Sequence, residues 1–140
     1  MRTVVTTYTN DRFDGVSALW QEAFPTDPPW NRAAAAIPEK LNVQPELLLI
    51  AVQDGQVVGS IMAGYDGHRD WLYALAVLRA FQRQGIGSQL VHEAERRLAA
   101  LGCGKVNLQV RASNEAVVEF YRALGYAVEE RVSMGKRITS

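Results

Sequence analysis

Gln82-Arg83-Gln84-Gly85-Ile86-Gly87-Ser88 lies between two apolar-periodic stretches, and its residue types point to anion chemistry. Gly85 and Gly87 let the backbone approach a bulky ligand and present successive N–H groups to it. A helix starting directly after them adds the positive end of its dipole, so an anion is the favoured guest. A pyrophosphate fits. Each hydrogen bond to such a charged group contributes roughly 1.5–3 kcal/mol, and about four or five would anchor a nucleotide. A Walker loop requires a lysine directly after its last glycine; none stands here, which excludes ATP hydrolysis of that type. The dinucleotide fingerprint requires a third glycine or alanine where Leu90 stands, and it normally opens its domain. A tight strand-to-helix turn using both glycines for geometry alone accounts for the tripeptide pattern equally well.

Tyr121 is the second residue with chemical potential. A phenol with a pKa of about 10 keeps its proton at neutral pH and can act as a general acid. Tyr121 follows Asn114 by seven residues, so on a helix the two share nearly one face, roughly 10 Å apart along the axis. Helical spacing by itself favours an amphipathic core tyrosine. Cys103 sits in Leu101-Gly102-Cys103-Gly104, a turn without an adjacent base, and reads as structural rather than nucleophilic.

These residues need elements to position them. Val4 to Tyr8 is rich in β-branched residues and reads as a first strand. Val16, Leu19, Trp20, Ala23 and Phe24 form a helical stripe over residues 14–24. Three prolines in 25–29 stop that helix, and residues 31–41 form a second one that Pro38 ends or bends. Residues 47–52 and 57–63 flank Asp54-Gly55 as a hairpin. Residues 71–78 are apolar on both faces, which predicts a central strand covered by helices on both sides. Residues 87–101 form the clearest helix, with Gly102 as its stop. Val106, Leu108 and Val110 mark a further strand, residues 114–124 a helix capped by Asn114, and residues 126–131 and 133–138 two final strands. The order predicts a mixed α/β sheet.

Composition narrows the class. The chain has 140 residues, 48% of them hydrophobic, enough for one domain over residues 1–140 with a real core. Fifteen basic side chains balance fifteen acidic ones, which argues against a nonspecific nucleic-acid binder. A single cysteine excludes an intramolecular disulfide and a cysteine-based zinc site. The longest apolar run, Leu47 to Val52, falls far short of the ~20 residues a membrane span needs. No signal-peptide core opens the chain. The expectation is a soluble, cytoplasmic protein.

Three blocks together resemble the GNAT N-acetyltransferase superfamily over essentially the whole chain. They are Gln82-x-x-Gly85-x-Gly87 preceded by Leu75-Ala76-Val77; Asn107-Leu108-Gln109-Val110-Arg111 with Asn114; and Phe120-Tyr121-x-x-x-Gly125-Tyr126. Pro29-Trp30-Asn31, Gly64-Tyr65-Asp66-Gly67-His68-Arg69 and Ser133-Met134-Gly135-Lys136-Arg137 further resemble its YpeA-like subgroup.

The resemblance implies a GNAT fold: a mixed, mostly antiparallel sheet of six to seven strands, with helices on both faces and a central V-shaped splay. In that slot the pantetheine of acetyl-CoA, the co-substrate, would pair with the edge of Leu75, Ala76 and Val77. Gln82, Arg83, Gln84, Gly85, Ile86, Gly87 and Ser88 would hold the pyrophosphate, with no metal. Asn114 would contact the pantetheine side, its competing role being a helix cap. Tyr121 would protonate the CoA thiolate, and an amide near Leu75–Val77 would stabilise the oxyanion.

The acceptor would be a small-molecule amine or a peptide amine, attacking the thioester directly in a ternary complex. Trp30, Asn31, Asp66, Arg69 and Tyr73 are the candidates for its site. Many family members carry an acid early in the central strand, where this chain has Trp71-Leu72-Tyr73-Ala74. Asp66 is therefore the first candidate for base or amine contact, against a loop-capping role, with Glu22, Asp27, Asp70 and a His68 relay behind it. Water is the alternative base. Monomer and homodimer both stay open. The competing functions are a non-catalytic acyl-CoA-binding or sensing module and an NAD(P)-linked enzyme.

Overall fold

The computed structural model describes residues 2–139, and the chain divides into two compact units after Gln109. In the first unit β1 (Thr3–Thr7), β2 (Leu48–Gln53), β3 (Gln56–Tyr65) and β4 (Asp70–Val77) form one sheet in sequential, antiparallel order. Its helices are α1 (Phe13–Ala23), α2 (Ala33–Leu41) and α3 (Ile86–Ala100). The β2–β3 hairpin turns on Asp54 and Gly55, at φ 51° and 77°, the left-handed pair that a two-residue turn between twisted strands requires. α2 runs through Pro38 to Leu41 rather than ending at it.

The alternation of β3 assigns the two faces. Ser60 meets Trp20 of α1, whereas Gly59 meets α3. Val16, Leu19 and Trp20 of α1 and Ala33 and Ile37 of α2 bury against Leu48, Ile50, Val57 and Ala76. On the other face α3 contributes Ile86, Leu90, Val91, Ala94 and Leu98, all buried. Fully burying each such aliphatic side chain contributes roughly 1.5–3 kcal/mol. Gly59 sets how close α3 can come. A Cβ there would stand 2.9 Å from Leu90 Cδ1 and 3.1 Å from the Ala76 carbonyl.

Among the described residues the sheet has four strands, not six to seven, and residues 71–78, expected as a central strand, form β4 at its edge. Residues 106–110 were expected as a strand, yet among the described residues they add a single parallel bridge, Leu72 with Leu108. Leu72 N–H donates to the Asn107 carbonyl at 2.9 Å, and Asp70 accepts from the Asn107 side chain at 2.9 Å. The segment is thus pinned to β4 at its first residues. The alternating pattern of 126–131 and 133–138 forms no strand either. Val132, Met134 and Ile138 are 88–91% exposed. Alternation describes a chain that fits a pleated surface, and it becomes a strand only where a partner strand supplies hydrogen bonds.

The second unit is built on α4 (Glu115–Ala123). Asn114 caps it, its side-chain oxygen accepting from Val117 N–H at 3.4 Å. The far end closes with Gly125 at φ 97°, Gly125 N–H on the Arg122 carbonyl and Tyr126 N–H on the Tyr121 carbonyl. That pairing satisfies the last carbonyls of the helix.

Candidate active site

β4 carries a bulge where acyl chemistry was expected. Ser60 pairs with Ala76 but Met62 pairs with Tyr73, so Ala74 and Leu75 together oppose Ile61. Ala74 takes φ 54°, a left-handed conformation unusual for a residue with a side chain. A buried relay holds it there. Trp20 Nε1–H donates to Ser60 Oγ at 2.8 Å, and the Ser60 hydroxyl donates to the Ala74 carbonyl at 2.8 Å. Past the bulge, Ala76 faces Ser60 and Leu78 N–H donates to the Val58 carbonyl. By alternation, Leu75 and Val77 direct their backbone groups to the opposite edge of β4. The Gln82 side-chain amide already donates to one of them, the Val77 carbonyl, at 3.1 Å.

The glycine loop follows a short 3-10 turn, Arg79–Phe81, whose first N–H is accepted by Glu22 at 2.8 Å. Glu22 is therefore an anchor between α1 and this turn. Arg83 and Gly85 both have positive φ, 65° and 78°, and reverse the chain into α3. Gly85 is the N-cap and supplies no side-chain oxygen, so the first N–H groups from Ile86 onward are left without a side-chain cap. Gln84 is held to the sheet, accepting from Gln53 Nε2 at 3.2 Å. Gln82, Arg83, Gln84 and Gly85 are exposed, Gly87 and Ser88 partly so, and Ile86 is buried as the plug that seats the turn.

The acceptor candidates are less uniform. Trp30 and Asn31 lie in the 3-10 turn Pro29–Asn31 that leads into α2, and both are exposed. Asp66 caps its own loop: Oδ1 accepts from His68 N–H at 2.8 Å and Arg69 N–H at 2.7 Å. The Arg69 and then the His68 backbone bonds hold its carboxyl below the ordinary aspartate range. It therefore stays ionised and is a weaker base than an ordinary aspartate. Arg69 and His68 are exposed. Asp70 is buried and given over to Asn107. Tyr73, immediately before the bulge, is half exposed, and burial of its ring pushes its phenol up.

In the second unit Tyr121 is buried, with Phe120 and Tyr126 edge-on to it at centroid distances of 5.1 and 5.3 Å. Burial pushes its phenol up to about 12. A proton so firmly held stays on the oxygen across the neutral range, and burial makes this phenol a weaker acid than a free tyrosine. Cys103 Sγ approaches the Lys105 carbonyl at 3.1 Å, and burial pushes the thiol up, away from the reactive thiolate.

Ser60 and Lys40 are residues that the sequence did not single out, and Trp20 was legible only as part of the α1 stripe. Ser60 was legible only as one small polar residue inside an apolar strand. Lys40 falls at helical spacing from Ala33 and Ile37, a lysine on the apolar stripe of α2.

A bulged strand followed by a glycine turn and an uncapped helix start presents free backbone groups to an extended, anionic ligand. The family model described as "Acetyltransferase (GNAT) family" matches residues 13–126. The chain is 40% identical over 131 residues to an acetyltransferase of Pectobacterium atrosepticum, covering 94% of this chain and 92% of that one. Among solved structures, an aminoglycoside N-acetyltransferase, AAC(6')-Iy, bound to a bisubstrate analogue superposes with a TM-score of 0.84 at 20% identity, over 99% of this chain and all of that one. PaiA N-acetyltransferase of Thermoplasma acidophilum, in complex with coenzyme A, gives 0.83 at 19% identity and 94% coverage of both chains. The chain belongs to the GNAT acetyltransferase family. It is an N-acetyltransferase whose co-substrate is acetyl-CoA.

Proposed function

We propose that the protein transfers the acetyl group of acetyl-CoA to a primary amine, on a small molecule or a peptide, by direct attack in a ternary complex. The observation that carries this reading is the pinned bulge at Ala74, which leaves Leu75 and Val77 with outward backbone groups one short turn before the α3 start. Pantetheine pairs with that edge as an added strand would. The N–H groups of residues 83–88 take the pyrophosphate, and Asn114 contacts the pantetheine side besides capping α4. The segment pinned at Leu108 supplies the other wall of the V-shaped slot.

The amine nitrogen attacks the acetyl carbonyl carbon, and a β4 amide near Leu75 stabilises the oxyanion. The carbon–sulfur bond then breaks, its electron pair stays on sulfur, and Tyr121 gives the thiolate its proton. The ammonium loses one proton to water before it attacks, and the proton released on amide formation returns through water to the Tyr121 phenolate. Asp66, ionised and a poor base, serves as an attractor of the incoming ammonium, and Trp30, Asn31, Arg69 and Tyr73 line the acceptor side. The same reading makes residues 1–140 one catalytic domain of the YpeA-like subgroup, working in the cytoplasm as a monomer or homodimer.

Free-thiol release from acetyl-CoA over a panel of amines tests this. Turnover that collapses in Tyr121→Phe is the expected result. Stabilisation by acetyl-CoA with no turnover on any amine overturns it in favour of an acyl-CoA-sensing module.

A further inference from the structure

Lys40 is 9% exposed, and its ammonium donates one hydrogen bond, 2.6 Å to the Ala63 carbonyl. An ammonium has three donors. Among the described residues no carboxylate pairs with it; Glu46 acts on it only through space, and burial outweighs that influence. A cation buried this deeply is costly unless paired. The Ala63 carbonyl does not call for a cation. On the same edge of β3, Gln44 serves Tyr65 with a neutral carboxamide, accepting its N–H at 2.9 Å and donating to its carbonyl at 2.7 Å.

The Tyr73 hydroxyl ends at the same place. A Cβ built on Gly64 would stand 2.9 Å from Tyr73 Oη and 3.9 Å from Lys40 Nζ. Gly64 has no side chain, so the Tyr73 hydroxyl takes the place of its Cβ and comes to lie beside the Lys40 ammonium. Tyr73 Oη makes no hydrogen bond to the described residues. An ammonium with two unspent N–H groups and a phenol with an unspent O–H therefore converge over one glycine. Tyr73 also adjoins Ala74, the first residue of the bulge on the strand proposed to carry the thioester.

We propose that Lys40 and Tyr73 form a subsite for a carboxylate of the acceptor, making the substrates amines that carry a free carboxyl group. This rests on the acetyl-transfer reading and names its substrate class. Two converging donors match the two oxygens of a carboxylate, whereas a phosphate brings a third oxygen that neither donor serves. The ammonium supplies the charge and the phenol fixes the plane of the group, while Gly64 lets the phenol lie against β3 beside the ammonium.

Two measurements test the subsite. In the first, ω-amino acids from glycine to 6-aminohexanoate compete with their own primary amides as acceptors for wild type, Lys40→Gln and Lys40→Met. Lys40→Gln keeps a neutral donor for the Ala63 carbonyl and so guards against a purely structural loss. The expected result is a wild-type preference for at least one acid over its amide of about tenfold or more in kcat/KM. In either variant that ratio falls towards one. An equal loss on acid and amide overturns the subsite, as does a wild-type preference for amides.

The second measurement needs no turnover. Protein saturated with coenzyme A is titrated calorimetrically with the amine-free acids from propanoate to hexanoate, with their amides and with ethyl phosphate. Saturable binding of an acid, weakened about tenfold in Lys40→Gln and in Tyr73→Phe, is the expected result. An amide bound as tightly as its acid overturns the subsite, and ethyl phosphate binding tighter than every acid overturns the carboxylate. Acid binding without acetylation of any amine supports the subsite and overturns the transfer reading. Acetylation of neutral amines with no saturable acid binding does the reverse.

Discussion

The Ser60 hydroxyl donates to the Ala74 carbonyl at 2.8 Å, and Ala74 is the residue whose positive φ bends β4. Ser60 also accepts from Trp20, so a single oxygen on β3 links α1 to the kink in the neighbouring strand. Ser60→Ala leaves the indole N–H and the Ala74 carbonyl without that partner, at a cost of about 1–3 kcal/mol. Thermal melting should register that loss. Steady-state kinetics should show kcat falling about tenfold or more, with Ser60→Thr, which keeps a hydroxyl, recovering most of it.

Removing the Tyr121 hydroxyl tests the chemical step. Tyr121→Phe should lower kcat by about a hundredfold or more, with the KM for acetyl-CoA little changed. The phenol is raised to about 12 from an ordinary 10, so the folded state holds the proton more tightly than the unfolded chain. Its contribution to stability is complete below pH 10 and is lost as pH rises from there through 12. Wild type should therefore lose stability more steeply than Tyr121→Phe over that window, as read by denaturant melts at stepped pH.

Acid should expose a different group. Glu93 receives bonds from Arg96 at 3.0 and 2.5 Å and from Arg97 at 2.8 Å, and the Arg96 bonds chiefly push its carboxyl down to about 2. A carboxyl lowered from 4.5 contributes stability above that pH and loses it as pH falls through 2. Arg96 is largely solvated, so Glu93→Gln should cost only about 1 kcal/mol near neutrality. Urea melts should show the difference shrinking to nothing near pH 2.

Gly59→Ala tests whether α3 can retreat from the sheet. The added methyl would meet Leu90 Cδ1 at 2.9 Å and the Ala76 carbonyl at 3.1 Å. The side chain can rotate, but the carbonyl belongs to β4 and cannot. Overpacking of about 1–3 kcal/mol is expected in melts. A raised KM for acetyl-CoA should accompany it, because the glycine turn moves with the helix it begins.

Local patterns carried much of this fold. The Asp54-Gly55 turn, the Leu90-Val91-Ala94-Leu98 stripe and the Asn114 cap are written within a few residues of themselves, and each stands where periodicity and capping place it. The late strands were not legible because alternation at Val106, Leu108 and Val110 cannot say whether a partner edge lies alongside. The glycine turn was readable from residue types alone. The Ala74 bulge was not, since it depends on Ser60 and Trp20, far away in sequence. Lys40 hid for a related reason. A lysine in a helix ordinarily reads as solvated, and only burial and its distance from Gly64 mark it out.

Gln44 has a consequence for how this sheet behaves among other proteins. β3 outruns β2 at Tyr65, and an uncovered strand end of that kind invites a stranger's backbone to zip onto it. The side-chain amide of Gln44 occupies both hydrogen-bonding groups of Tyr65, and Lys40 takes the Ala63 carbonyl. Two side chains thus stand in for part of the missing neighbour, leaving fewer free groups on the overhang for another strand to pair with.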